Sequence, residues 1–331
     1  MRRAVLPFLL LLPLLRAPAA RAEGLAFVIN SGAASVSVID VATQKELRRI
    51  PVLREPHHMA LTPDHRYLLV GDTAANELLF LDPATGALER RMPISDPYQL
   101  VFSPDGKFLT VAGLARNQVD VYAVGPSAED AAGYLKLVKR FPLASMPSHI
   151  NYAPDSGAVY VSLQGTDSLA AIDLRRMDVL WKAKVGRTPA GVLWHDGKLL
   201  VGIMGADYVA VVDPADGHVA EKIHTGNGAH VLFMSHDGKS LYVTDRVGGS
   251  IAVLDPASLR VLRYITLPGG PDDMDFAPDG RIWISRRFAH SVAILDPATG
   301  KTDVIEVGRS PHGIWLNTHD RLPAALSVSR K

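Results

Sequence analysis

The chain has 331 residues, 47% hydrophobic and 21% charged, with a formal net charge of +1 and no cysteine. That composition supports a large packed core and excludes a disordered chain. The missing cysteines exclude disulfides, thiolate metal centres, cysteine-attached haem and cysteine nucleophiles.

The first segment reads as an address rather than as structure. Arg2 and Arg3 precede an apolar run over 4–15, and Ala20-Arg21-Ala22 forms a small-x-small cleavage site. A run of about 12 residues is too short to span a bilayer, so 1–22 is read as a secretory signal peptide cleaved near Ala22. The Arg2–Arg3 pair leaves twin-arginine export open as a route. The mature protein is expected to be periplasmic or secreted, with no membrane span. The segment carries Arg2, Arg3, Arg16 and Arg21 and no acid, so its loss leaves an acid excess of about three. No polybasic run remains, which argues against nucleic acid as a partner.

From residue 24 onward one phrase repeats. An apolar strand with alternating pattern ends in Asp at Asp40, Asp82, Asp173, Asp213, Asp255 and Asp296, and at Ala123 with the Asp replaced. The period is about 40 residues, lengthened once by an insertion over 125–134 that reads as a surface loop. Turns of the form Pro-Asp-Gly recur, as at Pro104-Asp105-Gly106 and Pro278-Asp279-Gly280, while Asp-Pro-Ala-Thr-Gly closes a second turn at 82–86 and 296–300. Pro and Gly stand where turn geometry favours them. Such a unit is a four-stranded antiparallel sheet, and its repetition predicts an all-β, seven-bladed propeller over 23–320 with a tail over 321–331. The mature chain starts with a second strand at 25–29 and ends after an inner strand at 311–317. The last strand is therefore expected to complete the first blade and close the ring. Trp194, Trp283 and Trp315 are expected to pack between blades, and the strand-ending Asp residues to form turns.

Departures from the repeat mark the candidate site. The two residues before each inner strand read His57–His58, Tyr98–Gln99, Ser148–His149, Ala190–Gly191, Ala229–His230, Asp272–Asp273 and His312–Gly313. Five of the chain's 12 histidines fall on this register, which faces one funnel. In this alignment His230 shares the second position with His58 and His149. Neutral imidazole suits zinc, copper or iron, so His58, His149 and His230 form a candidate metal set, provided they are near enough across the funnel. The loop leaving the second strand adds Arg246, Arg286 and Arg287, with Gln164 and Asp72. Arginine forks recognise carboxylates and phosphates. The simpler reading of the same arginines is pairing with Asp245, Asp272 and Asp273.

The strands and turns also resemble a known family. Leu241-Tyr242-Val243-Thr244-Asp245, Val159-Tyr160-Val161-Ser162 and Phe102-Ser103-Pro104-Asp105-Gly106-Lys107 look like the YVTN repeat of bacterial periplasmic propellers, a YncE-like class. That class is similar to the d-type haem domain of periplasmic nitrite reductases, to lactonases and to DNA-binding propellers. The resemblance implies a small anionic cofactor, a d-type haem-like tetrapyrrole, with His58, His149, His230 and His312 as ligands or proton donors and Arg246, Arg286 and Arg287 beside them. A divalent metal is the other cofactor expected.

No Gly-x-Ser-x-Gly elbow, phosphate loop or His-Glu-x-x-His stretch is present. The balance is toward a binding or accessory protein rather than an enzyme. Two alternatives use the same face: a scaffold for a periplasmic protein partner without a small ligand, and a lactonase-like hydrolase with the funnel supplying a metal or a general base.

Overall fold

The computed structural model describes residues 24–130 and 133–318. The expected signal peptide and the tail lie outside these residues. Within them, seven four-stranded antiparallel sheets form the blades of a propeller. Blade 1 joins Leu25–Asn30, Ser35–Asp40 and Lys45–Pro51 to the C-terminal strand Pro311–Leu316. Blades 2 to 7 begin with the inner strands Pro56–Leu61, Gln99–Phe102, Pro147–Tyr152, Pro189–His195, Ala229–Met234 and Pro271–Phe276.

The closure is the expected one. Phe27 faces Trp315 and Val28 faces Ile314, so the last strand pairs with the first. The core lies between blades. Trp283 of blade 7 is fully buried against Ala26, Val28 and Ile314 of blade 1. Trp315 lies on Phe27 at 5.8 Å and Trp194 on Tyr160 at 5.9 Å between ring centres. Burial follows position within the blade. Leu68–Asp72, a second strand, is buried throughout, because neighbouring blades cover both of its faces. Lys45–Pro51, an outermost strand, buries only Ile50 fully and gives its other face to water.

Turn chemistry matches the repeat. The Asp40 carboxylate accepts from the Thr43 amide and hydroxyl, and Asp296 accepts from the amides of Ala298 and Thr299. The insertion differs from a plain surface loop. Ala128 and Tyr134 are buried with Phe80 and Tyr67, and the Ala128 amide donates to Asp64. These two buried side chains anchor the segment on the neighbouring core.

What positions the site is a β-bulge near the start of the inner strands. Pairing holds at Pro56, Pro147, Pro189, Ala229 and Pro271, skips two residues, and resumes at Met59, Ile150, Val192, Leu232 and Met274. A bulge leaves residues out of the ladder and re-aims their side chains. Hydroxyls of the second strand take up the freed amides. His149 donates to Ser162 at 3.0 Å, Val231 to Thr244 at 3.2 Å and Asp273 to Ser285 at 3.0 Å.

Candidate functional site

Strand register defines two rings at the axis. The first holds His312, His57, Tyr98, Ser148, Ala190, His230 and Asp272, and the second Gly313, His58, Gln99, His149, Gly191, Val231 and Asp273. His230 thus belongs with His57 and His312, one place from the position expected beside His58 and His149. The cause is Ala229, which occupies the pairing place held by proline in the neighbouring blades and faces Asp245. Blade 5 places only Ala190 and Gly191 in the two rings, and its glycines are required by contact. A Cβ on Gly202 would lie 2.3 Å from the His230 carbonyl oxygen, and one on Gly191 2.8 Å from it.

The rings close into a single cluster. His57 stacks on Tyr98 at 3.8 Å and tilts against His312 at 4.0 Å between ring centres. His58 lies 4.6 Å from His312 and 5.5 Å from His149, which lies 5.3 Å from His230. All five imidazoles are buried. Burial, reinforced by the charges of Arg246 or Arg287, keeps them neutral. His58 is pushed down to about 3 and His230 to about 4, with His57, His149 and His312 also well below their usual value. Half-buried Tyr98 is pushed up to about 12 by burial.

Asp272 is the hub beside this cluster. Burial opposes its ionisation, but Arg246, His230 and Arg287 outweigh that cost and hold its carboxyl well below the usual carboxylate range. Arg246 Nε donates to Asp272 Oδ1 at 3.0 Å, and its Nη2 contacts the same oxygen. His230 Nδ1 lies 2.9 Å from Asp272 Oδ1, and Arg287 Nη1 donates to Oδ2 at 3.4 Å. Arg246 Nη2 also lies 2.6 Å from His230 Nε2. A guanidinium only donates, so Nε2 accepts, and the ring proton sits on Nδ1 facing the carboxylate. Half-buried Asp273 is pushed well above its usual range by burial and by Asp272.

The remaining expected residues divide. Arg246 and Arg287 do pair with Asp272. Arg286 turns away, its Nε and Nη2 on Ser291 Oγ and its Nη1 on the Pro268 carbonyl, 3.1, 2.7 and 3.4 Å. Asp245 binds Thr225 and Ser250 instead of an arginine, and burial pushes it up to about 6. Asp72 receives the backbone amides of Arg54 and Glu55, a loop-holding role. Gln164 is half-buried. Met204, which no sequence pattern singled out, accepts from Arg246 Nη1 at 3.3 Å.

Among the described residues, two groups converge closely enough for one ion. His57, His58 and His312 bring ligand atoms within 4.8 Å of one another, as do His230, Asp272 and His312. The first group is the better donor set. His57 Nδ1, His58 Nε2 and both nitrogens of His312 are buried without a hydrogen-bond partner among the described residues, whereas the second group's Asp272 and His230 are engaged by arginine. His149 Nε2 is likewise unpartnered, while its Nδ1 meets Ser148 Oγ at 3.1 Å. Because the rings touch, a macrocycle cannot enter between them unless the cluster opens.

Fold and site together define a seven-bladed propeller with an axial histidine cluster. The sequence model of the YNCE-like beta-propellers matches residues 6–323, and the chain belongs to that family. No curated protein sequence matches it. Among solved structures it is similar to the dihydro-heme d1 dehydrogenase NirN in complex with DHE, at 15% identity and a TM-score of 0.67, over 94% of this chain and 78% of that one. It is also similar to the Pseudomonas aeruginosa periplasmic gluconolactonase PpgL, at 19% identity and a TM-score of 0.70, over 89% and 99%. Hydrazine synthase of Kuenenia stuttgartiensis follows at 18% and 0.65, over 89% and 97%. Identities this low speak for the fold alone. Among the described residues no helix is long and apolar enough to cross a membrane.

Proposed function

We propose that this chain is an exported binding or accessory protein, periplasmic or secreted, whose axial cluster holds one transition-metal ion on His57, His58 and His312. The observation that carries this reading is the convergence of three buried imidazoles with unpartnered nitrogens. Neutral imidazole is the ligand form, and burial keeps these rings neutral. Bonds of about 2.0–2.1 Å to zinc would draw the rings inward from their present spacing, in which the ligand atoms lie within 4.8 Å of one another. His149 stands next to the set through His58 and is the reserve donor. The set His58, His149 and His230 is less favoured, since Arg246 occupies His230 Nε2. Export is supported by the charged-then-apolar pattern over 1–22.

The test is metal uptake by the chelated and purified full chain. Zinc, copper and cobalt would be added in turn, with metal content and thermal shift as readouts. One equivalent is expected, lost in His312→Ala and in His57→Ala and retained in His149→Ala. Absence of uptake of every ion, or equal uptake by His312→Ala, defeats the reading.

A haem-like tetrapyrrole is the second reading. It is favoured by Arg287, which stays half-buried beside the cluster, and by the fold likeness to NirN. Haem titration watched in the visible spectrum separates the two, because a macrocycle needs an open cluster and a metal ion does not. Turnover of simple lactones by the metal-loaded protein would move the reading to a hydrolase. Unchanged function in a His57, His58 and His312 triple alanine variant would move it to a scaffold.

A further inference from the structure

We infer that the metal's open position is an oxyanion site: a small carboxylate or related anion binds with one oxygen on the ion and another on Arg287. This rests on the metal reading and deepens it by naming the class of ligand. The charges beside the cluster do not balance. Asp272 is one ionised carboxylate facing two guanidiniums, Arg246 and Arg287, while burial and Asp272 push the neighbouring Asp273 toward its neutral form. Three neutral imidazoles add no negative charge, so a divalent ion would enlarge the positive excess. Three protein ligands also leave a tetrahedral ion one open position. An incoming anion answers both deficits at once.

The geometry selects which arginine receives it. Arg246 turns four of its five N–H groups to Asp272, His230 and Met204, and its side chain is 14% exposed. Arg287 holds Asp272 by a single contact at 3.4 Å from Nη1 and is 22% exposed. Its other donors are therefore the ones an anion can reach. The distance from Asp272 Oδ2 to His312 Nε2 is 3.7 Å, which places the Asp272–Arg287 pair directly beside the candidate ligand set. Planar guanidinium presents paired N–H groups to two oxygens, as a carboxylate requires.

The experiment uses the full chain loaded with cobalt(II), whose visible bands report its coordination. Cobalt content is measured first, and then acetate, oxalate and inorganic phosphate are titrated against the bands, with acetamide as the uncharged control. Anions are expected to shift the bands, acetamide not. In Arg287→Met the anion affinity should fall about tenfold or more, the usual worth of a charge-assisted pair, at unchanged cobalt content. Arg287→Lys should recover part of the loss, since it keeps the charge without the fork. Equal anion affinity in Arg287→Met, or bands that ignore anions, overturns the inference while the metal reading stands. Absence of cobalt uptake overturns both.

Discussion

Replacing Asp272 by Asn keeps the size of the side chain and removes one charge, so its effect measures the hub alone. In the parent protein one carboxylate serves Arg246 Nε at 3.0 Å, Arg287 at 3.4 Å and His230 Nδ1 at 2.9 Å. The variant leaves two guanidiniums facing each other with no anion between them. Breaking a buried ion pair costs about 3–5 kcal/mol because the orphaned charge stays out of water. Here the arginine side chains keep 14% and 22% exposure, so solvent recovers part of that cost. The expected loss is about 3 kcal/mol, at the low end of the range. For a propeller of about 300 residues, with an unfolding entropy of about 0.6 kcal/mol/K, that corresponds to a fall in Tm of roughly 5 °C. Urea denaturation followed by tryptophan fluorescence measures it, with thermal melts as a second readout. Adding Arg287→Met to Asp272→Asn should restore part of the loss by removing one uncompensated charge. A loss below about 1 kcal/mol for Asp272→Asn, or further destabilisation in the double variant, would refute the account of Asp272 as a charge hub.

Three other outcomes follow from the same geometry. Gly202→Ala should lose about 2–3 kcal/mol, because its Cβ would press on the His230 carbonyl oxygen at 2.3 Å and the Ala229 carbonyl oxygen at 3.0 Å, both backbone atoms; an unmoved denaturation midpoint would count against the close approach. The Asp245 carboxyl is pushed up to about 6 by burial, from an ordinary 3.8. The folded state binds that proton more tightly than the unfolded state, so the contribution is full below pH 4 and is lost as pH rises through 6. The loss is roughly 3 kcal/mol over the window, and Asp245→Asn should flatten this part of the stability profile relative to the parent; parallel profiles would contradict it. Ending the chain before Pro311 removes the strand that pairs Trp315 with Phe27 and Ile314 with Val28, together with His312. Such a chain should lose its single cooperative unfolding transition, as monitored by circular dichroism; a transition unchanged in midpoint and steepness would show that closure is dispensable.

The blades were legible because their signal is local and repeated. An Asp after an apolar strand accepts amides two or three residues on, as Asp296 does from Ala298 and Thr299, and that chemistry needs no distant partner. Closure was legible from the unmatched strands at the two ends. The site was legible only as a register. Its tightness comes from bulges that turn neighbouring residues such as His57 and His58 toward the axis, and alternation along a strand would send them to opposite faces. The misplacement of His230 has an equally local cause, since the proline that marks the bulge in other blades is Ala229 here. The arginines show the limit most clearly. Arg286 and Arg287 are adjacent in sequence, yet one binds Ser291 and the other Asp272, and loop geometry alone decides which. The buried ends of the insertion rest on two side chains, Ala128 and Tyr134, whose partners lie far off in sequence.

The imidazole cluster also has to be reconciled with the stability of the propeller. Five ring nitrogens, on His57, His58, His149 and His312, are buried with no hydrogen-bond partner among the described residues. A buried polar group left unsatisfied costs about 1–3 kcal/mol, so the cluster opposes folding by several kcal/mol, comparable with the whole stability of a typical domain. Packing alone does not call for it, because blade 5 fills the same ring position with Ala190 and Gly191 and is equally well closed. The seven inter-blade cores are what allow such a cluster to persist, since each is completed before any axial side chain is counted. A ligand that satisfies these nitrogens would then stabilise the protein by its binding free energy, which already includes the relief of that penalty. The thermal shift on metal addition should accordingly be large in the parent protein. It should be small in His312→Ala, which lacks both the donor and two of the unpartnered nitrogens. A variant that raised the melting temperature without metal and abolished the metal-induced shift would locate the cost and the function in the same side chain.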